Sequence, residues 1–206
     1  MTALHVVERR PIDVARAMPW HLMRANVQHR DRLGQLLWEA KNLPNVVHDT
    51  GEVIILSALF ATGMTNYGAT VATVYLGVDN RTTPAAADTL ATIYNSNSPN
   101  YEPPLATNGY ARLGFITSGT GAAGQKWIVG GSPAWNALSL AADGVWTCAT
   151  GNWATAVKNL FLCTHTSAVA DADDAHLFCS VALSATRTLL VGDTLSVTLT
   201  ISPSGT

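Results

Sequence analysis

The sequence predicts a mainly β protein, an antiparallel β-sandwich of jelly-roll type preceded by an extended and helical N-terminal arm. Residues 194–201 alternate the aliphatic Leu195, Val197, Leu199 and Ile201 with hydroxyl side chains, which is the period-two pattern of a half-buried strand. Other short apolar stretches are separated by Gly, Ser, Asn and Asp, as is typical of β-sandwiches. The 206 residues suffice to bury a core without a metal or disulfide.

Residues 1–45 differ from the rest and predict a docking arm ahead of a β-sandwich domain of residues 46–206. Pro11 and Pro19 argue against one continuous helix in the arm. Residues 31–42 nevertheless predict a helix, because their apolar side chains follow the spacing of one helical face: Leu33, Leu36, Leu37 and Ala40. Asp31 is the expected N-cap and Pro44 the expected stop.

Trp20 and Trp38 are large apolar groups in an arm that is too polar for a core of its own. They dock the arm either onto the β-domain or onto another subunit, and the sequence leaves both alternatives open.

The elements after the arm follow in order. Residues 53–62 are almost all apolar and predict a buried helix, with a buried strand as the alternative. Residues 89–108 predict a long loop, a kind of segment that is usually functional or a subunit contact. The predicted strands are residues 71–78, 109–116, 127–129, 138–140, 145–148, 157–163 and 177–183. Gly192 and Asp193 predict a turn before the last strand.

Composition excludes several classes of function. Charged residues are 13% of the chain and the net charge is −2, with +2 in residues 1–50 and −4 in the remainder. No basic run is present, so we do not expect a nucleic-acid partner. Residues 53–61, the longest apolar run, are too short to span a bilayer, so we expect no membrane partner. The N-terminus has no apolar signal-peptide core, and we expect folding in a cytosol.

No arrangement of residues predicts catalysis or a cofactor. The densest polar cluster contains Asp171, Asp173, Asp174 and His176, but it lacks the Gly and distal Glu of a calcium loop, and a solvated hairpin tip is the favoured interpretation. The histidines lack metalloenzyme spacing, no serine lies in a nucleophile elbow, and no pair of glutamates fits glycosidase chemistry. We therefore expect no enzyme, metal or cofactor.

Four tryptophans lie within 27 residues: Trp127, Trp135, Trp146 and Trp153. Exposed tryptophans stack on sugar rings, whereas core and interface positions are commoner for this residue. The direction in which they point distinguishes a carbohydrate-binding module from a structural protein.

Cys148, Cys163 and Cys179 lack zinc-site spacing. Cys163 and Cys179 flank a predicted hairpin, and a centre near Asp171 places them opposite each other, within disulfide range. The alternative, typical of a protein folded in a cytosol, is that they are reduced and buried.

Several blocks resemble, in their order along the chain, small bacteriophage virion proteins described as minor structural, tail-fibre-like or decoration proteins. They are VVHDTGEVIILSALF, VATVYLGVDNRTTPAAADTLATI, NGYARLGF, Trp127, NWATAVKNLFLCTHTS and LFCSVALSATRTLLVGDTLSVTLTIS. The resemblance covers residues 45–202, and its last block is the most similar.

The resemblance implies a non-enzymatic virion protein that decorates or clamps capsid, neck or tail components. A receptor- or carbohydrate-binding module of a phage tail is the alternative. The implied partners are other virion proteins and further copies of the chain in a symmetric oligomer, assembled in the host bacterial cytoplasm. Aromatic, apolar and arginine side chains of the arm and the 89–108 loop are the expected interface anchors: Trp20, Arg24, Leu33, Leu37, Trp38, Tyr94 and Tyr101.

Overall fold

The computed structural model describes residues 23–49, 51, 73–93, 101–116, 127–129, 138–140, 144–165 and 176–201. These residues form ten β-strands and one short helix, α1 (Leu90–Ile93). The strands are β1 (Met23–Arg30), β2 (Leu36–Val47), β3 (Thr73–Asp79), β4 (Leu113–Ile116), β5 (Trp127–Val129), β6 (Leu138–Leu140), β7 (Gly144–Thr147), β8 (Val157–Cys163), β9 (Leu177–Arg187) and β10 (Thr194–Ile201).

The strands form one antiparallel sheet that nearly closes on itself. Their order is β4-β3-β8-β9-β2-β1-β10-β6-β5, and β7 also pairs with β10. Just beyond β7, the amide of Ala149 donates to the carbonyl of Asn108, at 3.0 Å, in the segment that leads into β4. This contact brings the two sides of the sheet together, so the fold is barrel-like. The expected mainly β, antiparallel class is confirmed.

β2 links the two halves of the sheet. Its residues from Leu36 to Pro44 pair with β1, and Asn45–Val47 pair with β9. The pairing with β1 shifts register between Ala25 and Val27, opposite Asn42, whose φ of 56° is left-handed. Bulges of this kind bend a strand, and here the bend lets one strand change partners.

The helix expected over residues 31–42 is wrong. Residues 31–35 form the tight turn between β1 and β2, and Pro44 lies inside β2. Asp31 caps this turn instead of a helix, because its Oδ1 accepts from the amides of Leu33 and Gln35 at 2.9 and 2.8 Å. Residues 36–44 pair with β1, and this tertiary pairing overrides the helical spacing.

The structure describes only part of the N-terminal arm that the sequence predicts over residues 1–45. Its residues from 23 onward are β1 and most of β2, and the boundary expected after residue 45 falls inside β2. Residues 1–22 lie outside the described residues, as does the apolar stretch of residues 53–62.

The other predicted strands agree more closely. The bounds of β5, β6 and β8 are as expected. β4 begins later than predicted, because residues 104–110 form turns, while β9 continues to Arg187. β10 has the expected alternation, with Leu195, Val197 and Leu199 fully buried and the hydroxyl residues between them half-buried.

The core has two parts, separated by β8. Leu160 and Leu162 face the interior of the barrel-like sheet, together with Trp146, Trp153 and Tyr110. The intervening residues of β8 face a smaller cluster on the other side: Leu90, Ile93, Phe161, Cys163 and Leu177. α1 and the segment that precedes it therefore cover the outer face of the sheet at β8.

Candidate interaction surface

The turn between β1 and β2 is rigidly built although it is exposed. The Asp31 carboxylate accepts two amides of the turn, and the Gly34 amide donates to the Asp31 carbonyl at 2.9 Å. Gly34 has a φ of 79°, a conformation that glycine adopts without strain. Arg30 Nη1 donates to the Gly34 carbonyl at 2.9 Å. The backbone of this turn is thus held in place by its own polar groups.

A second turn, residues 190–193 before β10, packs against the first. Gly192 has a φ of 90°, and a Cβ at this position would lie 2.6 Å from the Cβ of Arg32. The Asp193 carboxylate Oδ2 accepts from the Leu190 amide and from His29 Nε2, both at 3.0 Å. His29 lies in β1, so this buried pair fixes the second turn to the sheet.

Exposed aliphatic side chains gather on these two turns and on the adjoining start of β2. Five large hydrophobic residues there have exposed fractions between 46% and 73%. We call this set the apolar tip: Leu33, Leu36, Leu37, Leu190 and Val191. Only Val46 and Val145 are comparably exposed elsewhere in the described residues. The two turns meet where Gly192 lies against Arg32, and exposed apolar groups placed near one another in this way are a candidate interaction site.

Arginines border the apolar tip. Arg32 is exposed on the first turn. Arg187, at the end of β9, lies with its guanidinium 5.0 Å from the ring centroid of the half-buried Trp38, a cation–π contact. The apolar tip and the residues that border it together present aliphatic, aromatic and arginine groups, and tryptophan and arginine are enriched at binding hot spots.

The structure brings together three of the residues that the sequence marked as interface anchors. Leu33 and Leu37 belong to the apolar tip, and Trp38 lies beside it. Arg24 is exposed but lies near the opposite end of β1. Tyr101 is half-buried, and its backbone bonds to Asn80 and Ile93 on the other side of the sheet. The two remaining candidates, Trp20 and Tyr94, lie outside the described residues.

Two of the four clustered tryptophans face the core. Trp146 and Trp153 are 2% and 3% exposed. Their rings lie 6.4 and 5.2 Å from the Tyr110 ring, and their indole N–H groups donate to the carbonyls of Ala111 and Asn108. These two side chains do not form a sugar-stacking surface. Trp127 lies in β5, and Trp135 is outside the described residues.

The disulfide considered for Cys163 and Cys179 is not formed, and the alternative of buried thiols holds. All three cysteines are free and buried. The register of the β8–β9 hairpin places Cys179 opposite Leu162 and Cys163 opposite Leu177, so the two cysteines lie on opposite faces of the sheet. Burial raises the pKa of Cys163 to about 11, although the nearby Arg112 opposes this. These thiols are therefore unreactive at neutral pH.

A buried ionic cluster joins the tyrosine core to the segment before β4. Arg112 donates from Nε and Nη2 to the two oxygens of Glu102, at 2.8 and 2.6 Å. Tyr110 donates to Glu102 Oε1 at 2.6 Å and accepts from the Val78 amide at 3.1 Å. Burial lowers the pKa of Arg112, but its pairing with Glu102 outweighs this and raises the pKa overall. The guanidinium is thus permanently charged and paired.

A second buried network ties residues 79–88 to the sheet. Arg81 bonds to Asp79 through Nε and Nη2, at 3.1 and 2.9 Å, and to Asp88 through Nη1 at 2.6 Å. Asn159 Nδ2 donates to Asp79 Oδ1 and to the Arg81 carbonyl. Arg81 Nη2 also donates to Ser180 Oγ at 2.8 Å, and Ser180 bonds to His48 Nε2 at the same distance.

The Ser180–His48 contact has the geometry of a nucleophile and its base. Both residues have no exposed surface, and His48 Nδ1 bonds to the Ala85 carbonyl at 2.8 Å rather than to a carboxylate. No substrate reaches Ser180 in this arrangement, so the pair acts in the structure as a cross-link between segments.

No protein-family model matches the chain, and a search of curated proteins finds no match. Within the described residues, no group of three acidic, histidine or cysteine side chains is placed to hold a metal ion. No helix in that part of the chain is long and apolar enough to cross a membrane.

Sequence reasoning missed both buried networks. Arg81 bonds to Ser180 across 99 residues and His48 bonds to Ser180 across 132. The available signal is Asp79 and Arg81 directly after an apolar strand, which the sequence places in a loop. A charged pair at the end of a mostly apolar strand is a signal for a buried ion pair, and Asp79 and Arg81 are indeed buried.

Proposed function

We propose that this protein is a non-enzymatic bacteriophage virion structural protein. It decorates or clamps capsid, neck or tail components, and the apolar tip is a principal contact with its neighbours. The partners are other virion proteins and further copies of the chain, and the protein acts in the virion after assembly in the host bacterial cytoplasm. This proposal rests on the ordered sequence resemblance together with the surface of the fold.

The observation that carries the assembly role is the apolar tip. Five aliphatic side chains stay exposed on two turns and the start of β2, and the carboxylates of Asp31 and Asp193 hold the backbone of the two turns. A backbone that is already ordered loses little conformational entropy when a partner covers it. These features favour a surface that is covered in an assembly over one that remains in water.

The internal chemistry supports a structural role. The charged groups of the two buried networks are paired with one another and hold segments of the fold together. Trp146 and Trp153 pack in the core, which favours the structural role over the alternative of a carbohydrate-binding tail module.

The first prediction concerns location. Phage particles from a host culture, purified by density gradient, are expected to contain this protein at a fixed number of copies per particle, measured by quantitative mass spectrometry against the major capsid protein. The protein should remain after a high-salt wash, because a contact dominated by apolar burial is weakly screened by salt. Its absence from washed particles would contradict the proposal.

A further inference from the structure

His48 directly follows β2 and lies at a junction of three segments. Its Nε2 faces Ser180 Oγ of β9 at 2.8 Å, and its Nδ1 faces the Ala85 carbonyl at 2.8 Å. The next residue repeats the link, since the Asp49 amide donates to the Ala86 carbonyl at 3.0 Å. We call His48, Ser180 and Ala85 the clasp, because they join residues 85–86 to two strands of the sheet.

The partners of the clasp fix the position of each proton. A backbone carbonyl only accepts, so Nδ1 of His48 carries the hydrogen and Nε2 of the neutral ring is the acceptor. The Ser180 hydroxyl therefore donates to Nε2. Arg81 Nη2 only donates, and it occupies a lone pair of the same hydroxyl at 2.8 Å. A second ring proton would leave the Ser180 hydrogen without its acceptor and place two cationic donors on one oxygen.

We propose that the clasp is an acid-sensitive lock, which holds residues 85–86 against the sheet while His48 is neutral and releases them when His48 is protonated. The opening is local. Arg81 remains anchored by Asp79 and Asn159, so residue 81 is the fixed end and Ala85–Ala86 is the part that leaves. α1, whose Leu90 and Ile93 pack on the outer face of β8, is expected to stay in place.

The charged groups that surround His48 agree with this behaviour. Among the described residues they are Arg81, which disfavours an imidazolium, and Asp88, which favours it. Burial and then Arg81 lower the pKa of His48 below its ordinary 6.5, and Asp88 only partly opposes them. In the folded protein the neutral form of the His48 ring is therefore favoured. Its contribution to stability is complete above about pH 6.5 and is lost as the pH falls through the lowered pKa.

The experiment is amide hydrogen exchange by NMR on the full chain at about pH 7.5 and about pH 5, expressed as protection factors. The Asp49 amide is expected to lose protection by about tenfold or more at the lower pH, because opening of the clasp breaks its hydrogen bond to the Ala86 carbonyl. The Arg81 amide, which donates to Asp79 Oδ1 at 2.9 Å, is expected to keep its protection. Imidazole nitrogen shifts are expected to report the Nδ1–H tautomer at the higher pH.

Variants separate the clasp from general acid effects. In His48→Gln the acid-dependent loss at Asp49 is expected to disappear, whereas the matched control His165→Gln, at a half-buried histidine outside the clasp, should retain it. Equal Asp49 protection at both pH values would overturn the proposal, as would an Nε2–H tautomer or persistence of the acid effect in His48→Gln. If His48→Gln does not fold, the wild-type tautomer and exchange measurements decide alone.

Discussion

Gly77 shows how one residue fixes the packing of two strands. It lies in β3 directly opposite Phe161 of β8. A Cβ at this position would lie 2.3 Å from the Cζ of the Phe161 ring. The ring has no exposed surface and also carries the Arg112 guanidinium 5.4 Å from its centroid. Because residue 77 has no side chain, the Phe161 ring can pack directly against the backbone of β3.

Gly77→Ala is expected to lower the free energy of unfolding by about 1–3 kcal/mol, the usual effect of overpacking. Chemical denaturation measures this change. Phe161→Leu is the matched partner, because it removes the ring and leaves room for the added methyl group. The double variant should be less destabilised than the sum of the single variants. Additive effects would show that the two residues are not in contact.

At the scale of elements, the buried ion pairs hold irregular segments onto the sheet. The segment before β4 is joined by Glu102 and Arg112 to the carbonyl of His165, at the end of β8, at 2.9 Å from Arg112 Nη1. Tyr110 connects the same carboxylate to the Val78 amide of β3. One carboxylate thus organises contacts to two strands, and its loss should affect the whole fold.

Glu102→Gln is expected to destabilise the protein by about 3–5 kcal/mol, because it leaves the buried Arg112 without a counter-charge. Thermal or chemical unfolding gives the magnitude. Glu39→Gln is the control, since Glu39 pairs with Lys41 on the exposed face of β2, and surface pairs contribute little. Equal effects of the two substitutions would contradict the structural role assigned to Glu102.

The elements also show what the sequence predicts well. The alternation of apolar and hydroxyl residues predicts β10 directly, because a strand with one buried face requires an apolar residue at every second position. β8 is buried on both faces and is equally evident as an apolar run. The failure over residues 31–42 has a local cause, since Asp31, the expected N-cap of a helix, caps the turn between β1 and β2.

The candidate sites were less predictable for a physical reason. The apolar tip joins Leu33 to Leu190 and Val191 across the sequence, and only the β1–β10 pairing places the two turns together. The clasp likewise needs the β2–β9 register, in which Val46 pairs with Ser180. The sequence did mark Leu33, Leu37 and Trp38 as interface residues, but through a helix that does not exist.

At the scale of the molecule, the sheet and its cross-links form a nearly closed body with one apolar end. β1, β2 and β10 converge on that end, and the His29–Asp193 pair holds its two turns together. The clasp lies elsewhere, where residues 85–86 meet the end of β2. The two proposals therefore place assembly and the response to acid in different parts of the molecule.

The most direct test of the assembly role compares two variants in particles complemented with the mutated gene. Leu33→Glu/Leu190→Glu places charge on both turns of the apolar tip, where both side chains are exposed and stability should be unchanged. Val46→Glu is the control, because Val46 is an exposed aliphatic residue at the other end of β2. The measurement is the number of copies per washed particle. The account predicts a loss of about tenfold or more for the tip variant, the effect of removing a hot spot, and none for the control. A folded tip variant incorporated at the wild-type copy number would contradict it.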